Sequence, residues 1–517
     1  MAATVSEDQV VAEYLVLDGM GLTIPQLYGL MYNEDIKIKI SENAWDRIKK
    51  SRSVVDDAVK NNEIVYGVTT GFGSFKDKFI QGDQLTTLQE NLIKSHAVGC
   101  GPSISINLTR GMLALRINSL AKGNSGVSVN LIERLVEFFN QQIYSEVFQK
   151  GSVGASGDLA PLSHLMLGYL GYGNLWDPEE LQYRPAKDVL DDYELKPLVL
   201  SYKEGLSTNN GTAFITTLAV DAIYKITNLF HQANNIAGLT VEALRGTNKA
   251  FDVRISQAKP HPGQIHVAKH LSDILGYHQG GSERFKKYAA NVVQDAYSLR
   301  CMPQVHGVLL DTLVFATNII QTEMNSSTDN PLIFDDDVLS GGNFHGQYPG
   351  SVCDYLSIAL TTFGNISERR IERLVNGSLS KLPSFLVKNN PGLNSGCMIL
   401  QYTASALCAE NRCKSNPATV HSIPTCENQE DMVSEGAYAA VKLLEIVENV
   451  YQILAIELYC AVQAYEFIPE RTTDFLENIV KLVRAKVPAL DDDAYIKPHI
   501  DTIKQMLYKN SFLQGIN

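Results

Sequence analysis

The sequence predicts a mainly α-helical protein, and three observations predict it. First, long stretches carry apolar residues three or four positions apart, the helical period. Leu443, Val447, Val450, Leu454, Leu458 and Ala461 do so between 439 and 467; Leu309, Leu313, Ala316 and Ile320 between 306 and 322; Leu356, Ala359, Leu360 and Phe363 at the start of 352–375. Second, these stretches hold apolar residues off the stripe as well, such as Ile446, Ile453 and Ile456. A helix apolar nearly all round is buried in a large core or at a subunit contact. Third, strand-like runs are few and short. The expectation is a long central helix bundle with a loop-rich N-terminal part.

The chain has 517 residues, long enough for two or more domains and a large core. A boundary is expected near residue 205, giving a loop-rich α domain over 1–205 and a long-helix bundle over 206–517. The 44 basic and 57 acidic residues leave a net charge of -13, which argues against nucleic acid as a partner. No apolar run reads as membrane-spanning, and no basic-then-apolar leader opens the chain, so no membrane partner and a cytoplasmic location are expected. The eight cysteines include no C-x-x-C pair; free thiols in a reducing compartment are the simple reading. His266 and His270 can share a helix face, but Val267 stands where a zinc protease has Glu. No metal site is expected.

Unusual residues collect in loops. Tyr66 opens the glycine-rich run Tyr66–Gly73, which alone is more often a surface turn than a catalytic loop. The run Gly151–His164 has Ala155-Ser156-Gly157 at its centre and Asp158 and Pro161 after it, a tight turn feeding a helix. It lacks the Gly-Lys-Ser/Thr ending of a phosphate loop and the Gly-x-Ser-x-Gly of a nucleophile elbow. Asn210-Gly211-Thr212 reads as a turn. Gln294, Tyr297 and Arg300 are spaced for one helical face. Ser326–Pro331, Gly341–Gly346 with Phe344, and the acidic Gln429-Glu430-Asp431 complete the set.

In this order the motifs resemble those of the histidine and aromatic amino-acid ammonia-lyases, over roughly residues 15–470. The resemblance covers Tyr66–Gly73, Ser95-His96, the Ala-Ser-Gly loop, Asn210-Gly-Thr212, Gln294–Arg300 with Pro303-Gln304, Thr328–Pro331, Ser340–His345, Glu368–Arg373 and Asn428–Asp431. It implies the fumarase/aspartase-like helical fold. It also implies a methylidene-imidazolone (MIO) formed when the Gly157 nitrogen closes on the Ala155 carbonyl and Ser156 loses water. The fumarase/aspartase enzymes proper carry a Gly-Ser-Ser-x-Met-Pro-x-Lys-x-Asn loop that is absent here. A non-enzymatic helical scaffold would explain the core but not the polar loops.

The resemblance assigns roles. Tyr66 takes the β-proton as general base; Ala155, Ser156 and Gly157 supply the MIO. Asn210 and Tyr297 polarise the MIO and hold the substrate near it. Arg300 clamps the substrate carboxylate, and Gln294 and Phe344 line the pocket. His96 and Glu430 face the imidazole of a histidine substrate, with trans-urocanate and ammonia as products of a histidine-catabolic reaction. The family forms homotetramers with shared active sites, and Tyr66, the MIO and Glu430 are expected from different chains. Ser95-His96 and Gln429-Glu430-Asp431 are closest to the histidine lyases. Ser207-Thr208-Asn209, Met302 and Met432 depart from that pattern, so a tyrosine or phenylalanine lyase or 2,3-aminomutase is the alternative.

Overall fold

The computed structural model describes residues 14–80, 82–289 and 292–513. The chain divides into two compact units. One takes the residues to Asp221 with Thr317–Cys353 and Pro417–Val441; the other takes Ala222–Ala316, Asp354–Asn416 and the residues from Lys442 on. Residue 205 lies inside the short helix Glu204–Asn209 of the first unit.

Among the described residues every strand belongs to the first unit, in four two-stranded sheets, such as Tyr14–Leu17 parallel to Lys37–Ile40. Ser41, Ser105 and Ser128 each accept the N–H three residues on and so start a helix. The helix Ile106–Ala121 is buried from Thr109 to Ala121. It packs on Ile24–Tyr32, Glu42–Lys60 and Val129–Asn140. Its buried Arg110 is satisfied by Tyr144 Oη at 2.8 Å and the Ile36 carbonyl at 2.6 Å, as a buried cation must be. The helices Leu85–His96, Leu159–Leu167 and Glu204–Asn209 pack on one another. Their ends bring His96, the Ala155–Gly157 loop and Asn210 together.

The second unit is helical. The apolar stripe from Leu443 to Leu458 is fully buried, Ile446, Ile453 and Ile456 included. At its C-terminal end Glu457 accepts two bonds from the equally buried Arg370, at 2.6 and 2.9 Å, one from Thr240 at 2.8 Å and one from Ser367 at 2.5 Å. A buried ion pair is tolerated when every lone pair is met in this way. The three periodic stretches are the helices Met302–Glu323, Gln347–Val375 and Gly436–Tyr465.

A fourth long helix, Ala213–Ala243, is not among those expected, although Ile215, Leu218, Ala222, Ile226, Leu229, Ala233 and Ile236 give it a buried apolar stripe. Contrary to the sequence expectation, it is long and apolar enough to cross a membrane. However, 78% of its most apolar stretch is buried inside the protein, the state of a core helix. Buried Thr216, Thr217, Asn234 and Asn235 interrupt the apolar run and hide it from inspection.

Candidate active site

The Ala155–Gly157 loop is held in a backbone shape that excludes side chains. Gly157 has φ of +75°, and a Cβ there would lie 2.2 Å from the Gly211 carbonyl oxygen and 2.8 Å from that of Phe344. Only glycine fits. Asp158 donates its N–H to the Gly211 carbonyl at 2.7 Å. Its carboxylate does not cap its own helix; it accepts the N–H groups of Phe214 and Ile215 at 2.9 and 3.0 Å. Asp158 thereby ties the loop to the start of Ala213–Ala243. Burial pushes its carboxyl up to about 7, a rise that those two N–H groups oppose.

Two side chains converge on Ser156. Asn210 Nδ2 donates to the Ser156 carbonyl at 3.1 Å. Buried Arg116 holds the Asn210 main-chain carbonyl at 2.8 Å and so fixes the backbone from which that side chain projects. Ser156 Oγ donates to Glu430 Oε1 at 2.9 Å, and Thr425 Oγ1 donates to Oε2 at 2.8 Å. Glu430 closes a tight turn with Thr425, whose N–H meets the Glu430 carbonyl at 2.8 Å. Cys426, Glu427 and Asn428 inside that turn all have positive φ. Three consecutive non-glycine residues in that region are strained, and the strain is spent on aiming Glu430 at Ser156.

Tyr66 Oη accepts the Gly73 N–H at 3.2 Å. Burial raises its pKa, the Gly73 contact opposes the rise, and the charge of Glu430 adds to it. His96 ends the helix Leu85–His96, with Nδ1 3.0 Å from Ser95 Oγ. Burial lowers its pKa, while the Leu92 backbone and Glu430 oppose the fall. Two adjoining lobes, of about 490 and 540 Å³, share Tyr66, Gly73, Ser156, Leu206, Asn210 and Glu430. Phe344, Asn330 and Ser340 line the first; His96, Asn209, Cys426, Leu92 and Leu159 line the second. That volume suits a small amino acid.

Two expectations need correction. Tyr66, Ser156 and Glu430 meet within one chain, because the Thr425–Glu430 turn and the Ala155–Gly157 loop belong to the same unit; they do not come from different chains. Gln294, Tyr297 and Arg300 do not share a helical face either. The helix Tyr297–Arg300 is one turn long, and Gln294 precedes it in irregular backbone. These three belong to the other unit and line neither lobe. Tyr297 is exposed, and the Arg300 guanidinium stacks on its ring at 4.6 Å while Arg300 Nε holds the Asp295 carbonyl at 2.9 Å. His266 and His270 both lie on Pro262–Ile274. Among the described residues no group of three or more His, Cys, Asp or Glu is placed to hold a metal.

Residues 22–485 match the model of the family described as aromatic amino acid lyase. The chain belongs to the aromatic amino acid lyase family. It is similar to histidine ammonia-lyase of Homo sapiens, 46% identical over 499 residues, which cover 96% of this chain and 76% of that one. Among solved structures it is similar to histidine ammonia-lyase from Trypanosoma cruzi, 41% identical with a TM-score of 0.89, covering 96% of this chain and 94% of that one. It is also similar to tyrosine aminomutase from Streptomyces globisporus, 33% identical with a TM-score of 0.89, covering 97% and 98%. The helical fold expected from the sequence is the fold of this lyase family.

In this aromatic amino acid lyase the cavity holds residues that motif reading passes over. Cys426 reaches it because its turn lies against Gly73, where a Cβ would be 2.5 Å from Cys426 Sγ. Arg116 and Thr425 act through Asn210 and Glu430. Their signal is tertiary: a helix-interior arginine and a loop threonine look ordinary in one dimension. Asn209 had a signal, since it precedes Asn210 within the departing Ser207-Thr208-Asn209.

Proposed function

We propose that this ammonia-lyase acts on L-histidine, eliminating ammonia to give trans-urocanate. The observation that carries the reading is the convergence of Tyr66, Asn210, His96 and Glu430 on Ser156 in one cavity. The 46% identity with a histidine ammonia-lyase over 96% of the chain supports it.

The Ala155–Gly157 loop suits an MIO. Gly157 has no side chain to shield its nitrogen, the Ser156 hydroxyl that must leave is already hydrogen-bonded to a carboxylate, and Asn210 donates to the Ser156 carbonyl. The chemistry such a group supplies is an electrophilic methylene carbon, which no ordinary side chain offers. Asn210 withdraws electron density through the Ser156 carbonyl, and Arg116 anchors the Asn210 main chain. Tyr66 is the proposed general base for the β-proton. Within one chain burial raises its pKa, so the role calls for additional positive charge or donors at its hydroxyl. His96 and Glu430 face the substrate ring, where a carboxylate pairs with a ring N–H.

The carboxylate clamp, Arg300, with Tyr297 and Gln294, is proposed to come from a second copy of the chain in a homotetramer. Exposed Val308, Val314, Phe315, Tyr355 and Ile358 on two long helices supply an apolar face for such assembly. Light scattering should give the mass of four chains.

Incubating the purified protein with His, Tyr and Phe separately, and recording the near-ultraviolet spectrum of each product, tests the substrate. Urocanate from histidine is the expected outcome. Preference for tyrosine or phenylalanine selects the lyase or 2,3-aminomutase alternative.

A further inference from the structure

Asn209 ends the helix Glu204–Asn209 with its side chain fully buried. It lines the lobe that holds His96 and not the lobe that holds Phe344. Its Nδ2 donates to Ser163 Oγ at 3.2 Å. Its Oδ1 is buried and has no hydrogen-bond partner. Buried polar atoms are nearly always paired, and an exception calls for an explanation. The Ser163 contact turns one end of the amide away and leaves the carbonyl end over. The same lobe is lined by Leu88, Leu92, Leu159 and Leu206, and none of its polar residues, Lys78, Asn91, Ser95 and His96 among them, donates to this oxygen. The next residue, Asn210, spends its amide on Ser156.

We propose that Asn209 is a specificity-determining residue whose Oδ1 accepts a ring N–H of the substrate. The proposal rests on the histidine reading above. A five-membered ring carrying an N–H completes the hydrogen bonding of Asn209, and a ring without one leaves the carbonyl unpaired. A site with an acceptor waiting for a donor rejects the analogue that lacks it. Ser163 is a positioning residue, acting only through the Asn209 amide.

The test measures kcat/KM for histidine and for 2-thienylalanine, a ring of similar size with no N–H, in the parent, Asn209→Leu and Ser163→Ala. Asn209→Leu is expected to lower the histidine value about ten-fold or more while leaving thienylalanine unchanged or improved. Ser163→Ala should shift the ratio the same way by a smaller factor, mainly through KM for histidine. Equal losses for both substrates, or an unchanged ratio, overturn the proposal. If Asn209→Leu does not fold, the Ser163→Ala ratio decides alone. A parent selective for histidine whose variants stay equally selective overturns only this proposal. A parent that does not turn over histidine overturns the substrate reading as well.

Discussion

Ser156 and Glu430 stand 274 residues apart in sequence and share a hydrogen bond of 2.9 Å, Ser156 Oγ donating to Glu430 Oε1. The hydroxyl that the proposed MIO formation must expel is thus oriented by a carboxylate before anything else enters the cavity. The mature protein should be lighter than its sequence mass by two water molecules, measurable by intact mass spectrometry. Ser156→Ala should keep the sequence mass and lose at least about 10³-fold in kcat, having lost the cofactor that carries the hard chemistry. Its fold should persist, because a small-for-small loop change opens no core cavity. A fully active protein at unmodified mass contradicts the assignment.

Glu430 and Arg300 should fail in different ways. Glu430→Gln removes the charge proposed to meet the imidazole, so kcat/KM for histidine should fall by about 10²-fold or more and by much less for tyrosine or phenylalanine. Arg300→Lys keeps the charge but loses the two-pronged grip on a carboxylate shared by all three amino acids. It should lower all three values alike. Equal losses for histidine and tyrosine in Glu430→Gln would sink the histidine assignment.

The Arg370–Glu457 pair is fully buried. Arg370→Met leaves Glu457 charged and underpaired in the core and should cost about 3–5 kcal/mol in urea unfolding. Changing both residues to Met should recover much of that loss, since no buried charge is then left alone. A single variant as stable as the parent would show that the pair is not carried intact in solution.

Acid should destabilise the second unit through His270. Burial, with His231, His266 and Lys269 adding to it, lowers the His270 pKa from 6.5 to about 4, and Nε2 lies 2.7 Å from Asn235 Oδ1. The unfolded chain therefore binds a proton that the folded chain refuses. The stabilisation is complete above about pH 6.5 and is lost as pH falls toward 4. His270→Gln should flatten this limb when unfolding free energy is measured between pH 4 and 7. A limb of unchanged slope would assign the acid sensitivity to other groups.

Much of this protein was legible in one dimension. The helical class, three of the four longest helices and the order of the loop motifs all follow from local properties: a repeating apolar period, and glycines where the chain turns sharply. Ala213–Ala243 carries the same period, but its buried polar residues lie off the stripe and find partners only in the folded core. Asn234 is one of them, bonded to His306 Nδ1 at 2.8 Å. Ser156, Asn210, His96 and Glu430 could each be named, and the family resemblance puts them at one site, but it does not say that Ser156 and Glu430 meet within one chain.

That Glu430 meets Ser156 of its own chain depends on a strained turn at Cys426–Asn428 and on close backbone passage at Gly157 and Gly211. That Gln294, Tyr297 and Arg300 share no helical face is equally invisible in spacing, since a period-three pattern reads as a helix face whether the helix has one turn or five. Sequence determines what each segment prefers by itself. Tertiary packing decides which segments pay for one another's buried polar groups, and the active cavity is built from those groups.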